Sequence, residues 1–170
     1  MTWDGYHRKI EQLALVIHGS GWQFDQILCL ARGGLRPGDV LSRLFDVPLG
    51  ILATSSYREE AGTRQGALDI ARHITLTKGA LSGRVLLVDD LVDSGVTIEG
   101  VIQHLRAQYA DISEIRVATI WQKACSSFTP DFVVDYLANN PWIHQPFERY
   151  DEMRPEQLAQ QIRSVSTSDS

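Results

Sequence analysis

A chain of 170 residues lies within the usual size of one domain and is long enough to bury a core without covalent staples. Its hydrophobic share of 44% and charged share of 22% exclude a fibrous or wholly disordered class. With a formal net charge of −5 and acids and bases interspersed, there is no basic stripe for nucleic acid, so a phosphorylated ligand must be held locally.

No stretch approaches the roughly 18 consecutive apolar residues of a membrane span, and Met1-Thr2-Trp3-Asp4-Gly5 lacks a basic segment followed by an apolar run. No membrane association and a cytoplasmic location are therefore expected. Cys29 and Cys125 both sit in apolar, strand-like runs, which predicts two small buried thiols and neither a disulfide nor a metal site.

Trp3, Tyr6, Ile10, Leu13, Val16 and Ile17 recur at helical spacing, with Thr2 as cap and Gly19-Ser20-Gly21 as stop. Gln26 to Ala31 is a continuous apolar run, the pattern of a strand covered on both faces. It breaks at Arg32-Gly33-Gly34, after which Leu35 to Phe45 is helical, with Pro37 in the first turn. A second apolar run spans 48–55. The polar, glycine-containing stretch 58–66 reads as a mobile loop. A peripheral strand is expected over 72–77 and a turn over 78–83.

Val85-Leu86-Leu87-Val88 is the strongest strand and runs directly into Asp89-Asp90-Leu91-Val92-Asp93-Ser94-Gly95-Val96-Thr97. A helix from Thr97 to about Tyr109, strands over 115–121 and 132–137, an aromatic loop over 138–150 and a helix from Pro155 to about Ile162 complete the series. Residues 1–163 are expected to form one catalytic domain, with 164–170 a frayed, disordered tail. Strands alternating with helices predict an α/β fold with a mainly parallel central sheet. In such sheets ligands collect beyond the C-terminal strand ends. Arg32-Gly33-Gly34, Ser55-Ser56-Tyr57, 89–97 and the residues after Trp121 all fall at that edge.

The segment 89–97 combines two functions. Amides at the turn around Gly95, together with the dipole of the helix that follows, suit a terminal phosphate, and Ser94 and Thr97 add hydroxyl donors. Asp89 and Asp90 would repel that phosphate, but they suit the vicinal hydroxyls of a ribose and a divalent cation.

Residues 85–97 closely resemble the ribose-diphosphate signature of type I phosphoribosyltransferases: strand, acid pair, spacer, then Asp-Ser-Gly-Val-Thr. The resemblance implies that family's fold, a parallel sheet flanked by helices with a small hood or loop region. It implies that Asp89 and Asp90 bind the ribose hydroxyls, with Asp90 bearing on Mg²⁺, and that Asp93, Ser94, Gly95, Val96 and Thr97 wrap the 5-phosphate. Ala31-Arg32-Gly33-Gly34-Leu35-Arg36-Pro37-Gly38 resembles the family's pyrophosphate loop, in which the Arg-Gly peptide, here Arg32-Gly33, is often cis and turns an N–H toward the leaving group.

The likeness extends over roughly residues 25–150 and is to the bacterial xanthine-guanine group. Lys123, ending Thr119-Ile120-Trp121-Gln122-Lys123, stands where 6-oxopurine enzymes place a lysine near O6. Val133-Val134-Asp135-Tyr136 and Pro141-Trp142-Ile143-His144-Gln145-Pro146-Phe147 resemble that group's base-binding loop, in which Trp142 and Ile143 would pack on the purine. His144 stands where relatives carry an acid.

The implied reaction is transfer of the 5-phosphoribosyl group from phosphoribosyl diphosphate (PRPP) to a 6-oxopurine, as in purine salvage. Arg32 and Mg²⁺ would stabilise the departing diphosphate, Asp93 would exchange a proton at purine N7, Arg64 is a further diphosphate contact, and the 58–66 loop would close over the site. The resemblance also implies a homo-oligomer, dimer or tetramer. Two alternatives stay open: a phosphoribosyltransferase for adenine or a pyrimidine, and a non-catalytic regulator that senses PRPP.

Overall fold

The fold is that of a computed structural model, which describes residues 1–56, 68–139 and 141–168. The expected loop over 58–66, Arg64 included, lies outside the described residues. Two compact units are present, one of Lys9–Pro141 and one of Met1–Arg8 with Trp142–Ser170; α1 (Trp3–Gly19) contributes to both.

The larger unit is built on a seven-stranded sheet. Its strands are β1 (Gln26–Ala31), β2 (Leu49–Ser56), β3 (Leu68–Ile70), β4 (Thr75–Leu76), β5 (Gly83–Val92), β6 (Ile112–Lys123) and β7 (Phe132–Leu137). The order is β3-β2-β1-β5-β6-β7, with β4 also on β2. The pairs β1–β2, β1–β5, β5–β6 and β6–β7 are parallel, and only β3 and β4 join antiparallel. The mainly parallel α/β architecture expected from the sequence is therefore present.

Both faces of the central strands are covered, which explains why residues 27–31 of β1 and 85–88 of β5 are continuously apolar rather than alternating. On one face, Leu28, Leu30, Val85, Leu87 and Val117 form a core with Ile98, Val101 and Leu105 of α3 (Val96–Gln108). On the other, α2 (Leu35–Phe45) lies so close that a Cβ added at Gly38 would stand 2.7 Å from that of Cys29. Burial pushes the Cys29 thiol up to about 12, so it remains an unreactive thiol donating to the Gly50 carbonyl at 3.2 Å.

The strands depart from expectation mainly in length. β5 continues through the acid pair to Val92, because Asp89, Leu91 and Val92 pair with Thr119, Trp121 and Gln122 of β6. The peripheral strand expected over 72–77 shrinks to the two residues of β4, and β3 was not anticipated. Such short edge strands carry little periodicity, and their pairing with β2 is a tertiary event. Cys125 corrects the expectation of a second buried thiol: it is exposed and lies beyond the end of β6.

The smaller unit holds the first turns of α1, α4 (Arg149–Glu152) and α5 (Pro155–Ser168), the last running past the Ile162 suggested by sequence. Thr2 caps α1 as expected, its Oγ1 accepting from the Gly5 amide at 3.1 Å. Phe147 meets the Tyr6 ring edge-on at 5.6 Å, and the N-terminal ammonium donates to the His144 carbonyl at 3.1 Å. The aromatic 138–150 segment, expected to be a loop, thus contains packed aromatics and the start of α4.

The base of the sheet is tied by Asp25, whose Oδ2 accepts from the Arg84 amide at 2.8 Å while its Oδ1 pairs with the guanidinium at 3.3 Å. The Arg84 amide and then its guanidinium hold this carboxyl below its ordinary range. A depressed folded-state pKa gives stability that is present above the unfolded value and disappears as pH falls through the folded value. Asp25→Asn should therefore lower stability at pH 7 by about 1 kcal/mol or less, as suits an exposed pair. In strong acid, below the folded-state value, urea unfolding should show no difference between the two proteins.

Candidate active site

The strand order reverses at β1, with β2 on one side and β5 on the other. The loops leaving β1 and β5 therefore flank a topological switch point, where parallel sheets open a crevice. The first of these is Arg32-Gly33-Gly34, and the second is 89–97, the last residues of β5 with the turn into α3.

These two loops touch. A Cβ added at Gly33 would collide with Asp90 Oδ1 and stand 2.6 Å from Asp90 Cγ and 2.9 Å from Asp89 Oδ1. At Gly34 it would run into the Val88 carbonyl and lie 2.9 Å from both the amide and the carbonyl of Leu30. Only hydrogen fits at either position, which is the physical reason for the glycine pair. A cis peptide is present, but at Ala31-Arg32 and not at the Arg32-Gly33 bond indicated by the resemblance. Arg32 itself is exposed.

The acid pair is electrostatically crowded. Burial, then the neighbouring charge of Asp90, pushes the Asp89 carboxyl well above the usual carboxylate range, while the amides of Asp90 and Gly34 pull the other way. The Asp90 amide donates to Asp89 Oδ1 at 2.9 Å.

Beyond β5 the chain turns through Gly95 at φ +92° into α3. A cavity of about 110 Å³ opens there, lined by Asp89, Leu91, Val92, Asp93, Ser94, Gly95, Thr97 and Ile98. It lies at the N-terminus of a 13-residue helix, where amides without intrahelical partners and the helix dipole favour an anion. Asp89 shares this wall, closer to the expected phosphate position than its charge suggested, whereas Val96 is half exposed and does not line it.

At the rim stands an ion pair that the sequence did not disclose. Lys123 Nζ, at the end of β6, donates to Asp93 Oδ2 at 2.9 Å. Lys123 is 8% exposed as a residue, so its stem is packed and its ammonium is held in place. Cys125 Sγ lies 3.5 Å from the other oxygen of Asp93.

The structure therefore brings Asp89, Asp90, Asp93, Ser94, Gly95, Thr97, Gly33 and Lys123 to one sheet edge. Trp142 and Ile143 belong to the smaller unit, where Trp142 is 68% exposed and lines a cavity with His144, Gln145, Glu148 and Arg149. Among the described residues no three His, Cys, Asp or Glu side chains cluster as a metal site of their own. Ser126, Ser127 and Phe128 meet the Gly95 turn; the sequence put the residues after Trp121 at this edge, but no spacing or motif assigned these three to that contact, which is made only in the fold.

Residues 2–152 match the phosphoribosyl transferase domain. The chain is 28% identical over 152 residues to xanthine-guanine phosphoribosyltransferase of Idiomarina loihiensis, covering 88% of this chain and 86% of that one. It is similar to the crystal structure of purine phosphoribosyltransferase from Pyrococcus horikoshii, with TM-score 0.70 and 32% identity, over 86% of this chain and 91% of that one. It is also similar to Helicobacter pylori xanthine-guanine-hypoxanthine phosphoribosyltransferase, with TM-score 0.69 and 25% identity over 88% and 92% of the two chains. With residues 2–152 matched, a span that includes the whole sheet-bearing part of the molecule, the chain belongs to the phosphoribosyl transferase domain family.

Proposed function

We propose that this protein transfers the 5-phosphoribosyl group of PRPP to a 6-oxopurine, giving the nucleoside 5′-monophosphate and diphosphate. The observation that carries the choice of acceptor is the Lys123–Asp93 pair at 2.9 Å on the rim of the anion cavity. An ammonium only donates, so Lys123 suits an oxo group at the purine 6-position and rejects an amino group, which would leave two donors opposed. Asp93, beside it, suits a protonated N7 on the same edge of the base. The names of the relatives in Idiomarina loihiensis and Helicobacter pylori point to the same bases.

In this reading the Gly95 turn, Ser94 and Thr97 hold the 5-phosphate, and Asp89 and Asp90 hold the ribose diol. Asp90, with Asp89 beside it, would hold Mg²⁺. Hard carboxylate oxygens suit that ion, and a carboxyl that burial and then a neighbouring carboxylate push above its usual range, as at Asp89, is one that added positive charge would stabilise. When bound, Mg²⁺ supplies positive charge to the diphosphate. Arg32, which follows β1 directly, would meet the departing diphosphate, and Arg64 is a second candidate. Bond breaking at C1 ahead of attack by N9 builds an oxocarbenium-like centre, and Asp93 accepts the N7 proton as N9 becomes bonded. Trp142 and Ile143 are proposed to pack on the purine face.

With Mg²⁺ and PRPP, the protein should turn over guanine, xanthine or hypoxanthine and leave adenine unreacted, and Asp93→Ala should reduce kcat by about 100-fold or more. Activity with adenine alone would overturn the acceptor assignment. Lys123→Ala should bring the kcat/KM values of oxopurines and adenine closer together; an unchanged ratio would remove Lys123 from base selection. Gly33→Ala should raise the PRPP KM by about tenfold or more, because the new methyl displaces the acid pair. Unaltered PRPP binding in calorimetry would show that the two loops separate freely.

A further inference from the structure

We propose that Ser127 is a positioning residue that aims the Gly95 amide at the 5-phosphate. The inference rests on the reading of that cavity as a PRPP site. The Ser94 carbonyl accepts two hydrogen bonds from one residue, the Ser127 amide at 3.0 Å and the Ser127 hydroxyl at 3.0 Å. A trans peptide unit is planar, with its C=O and N–H pointing in opposite directions. Holding the Ser94 carbonyl toward Ser127 therefore turns the Gly95 N–H away from it, to the side on which Ser94, Gly95 and Thr97 line the cavity. The far side of Gly95 is fixed as well, since its own carbonyl accepts from the Glu99 amide at 3.0 Å. Both peptide planes around the turn are thus set before any ligand arrives.

The brace is anchored. Phe128 packs against the hydrophobic core. Its carbonyl accepts from Gln122 Nε2 at 3.3 Å and from the Ser126 hydroxyl at 2.7 Å, and its amide donates back to Ser126 Oγ at 3.1 Å. Gly95 lies directly beneath: a Cβ there would stand 2.7 Å from Phe128 Cβ and 3.1 Å from Ser126 Oγ. Glu99 Oε1, 3.4 Å from Ser127 Oγ, competes for the single hydroxyl proton, but the shorter contact is to Ser94. Rigidity thus passes from the core through Phe128 and Ser127 to the amide that would face the phosphate, and a preorganised donor costs no reorganisation on binding.

The test compares the wild-type protein with Ser127→Ala and Ser127→Thr, using PRPP calorimetry, both KM values, kcat and thermal unfolding. Ser127→Ala keeps the main-chain bond and loses the hydroxyl, so PRPP Kd and KM should rise about three- to tenfold, the worth of one hydrogen bond, while the purine KM stays within about twofold. Thermal unfolding should not shift, and Ser127→Thr should restore PRPP affinity. If Ser127→Ala binds PRPP as the wild type does, or if both KM values rise together with a fall in Tm, the positioning role is wrong. If the wild type itself binds no PRPP, the reading of the cavity fails, and this inference fails with it.

Discussion

The parallel pairing of β1 with β5 places two chain turns with opposite requirements against each other. The turn after β1 has no side chains at Gly33 and Gly34; the end of β5 carries a carboxylate pair whose oxygens occupy the space that a Cβ at Gly33 would need. The acid pair cannot spread into that space without displacing backbone, and the β1 loop cannot rise without uncovering the pair. The position of Arg32, the shape of the crevice and the height of Asp89 relative to the cavity all follow from this contact.

That proximity has an electrostatic consequence. Burial at the strand end, and then the neighbouring charge of Asp90, holds the Asp89 carboxyl above the usual carboxylate range. A few residues on, the amides opening α3 present partial positive charge to the same cavity. The site is therefore graded, anionic at the strand end and cationic at the helix start. A phosphorylated sugar has the complementary grading, with a diol that donates hydrogen bonds and a phosphate that accepts them. A net charge of −5 is no obstacle, because the anion is met by local dipoles and not by the field of the whole molecule.

The Lys123–Asp93 pair joins the end of β6 to the residue that follows β5. A buried stem fixes the lysine, while the aspartate side chain is about half exposed. On the proposed reading, a purine edge offering an acceptor beside a proton-bearing nitrogen would take the place of this ion pair contact for contact. Selectivity by such a pair depends on donor and acceptor matching more than on pocket size, which is the stronger form of discrimination.

Local sequence determined much of this molecule. Continuous apolar runs at 26–31 and 85–88 identified strands covered on both faces, helical spacing found α1, α2 and α3, and Thr2 marked a true cap. The acid pair followed by Asp93-Ser94-Gly95-Val96-Thr97 was legible as a candidate site because its pattern is local: a few consecutive residues carry the carboxylates, the turn and the helix start. The short edge strands β3 and β4 were not legible in this way, because their residues take strand form only by pairing with β2. Nor was the exposure of Cys125, which depends on where β6 leaves the sheet. The Lys123–Asp93 pair and the brace of Ser127 on Ser94 join residues about 30 positions apart, and no periodicity encodes such a distance. Sequence specifies which groups are present and how neighbouring backbone turns; the parallel register of β1, β5 and β6 decides which of those groups meet, because hydrogen bonding between strands sets the height at which each chain leaves the sheet.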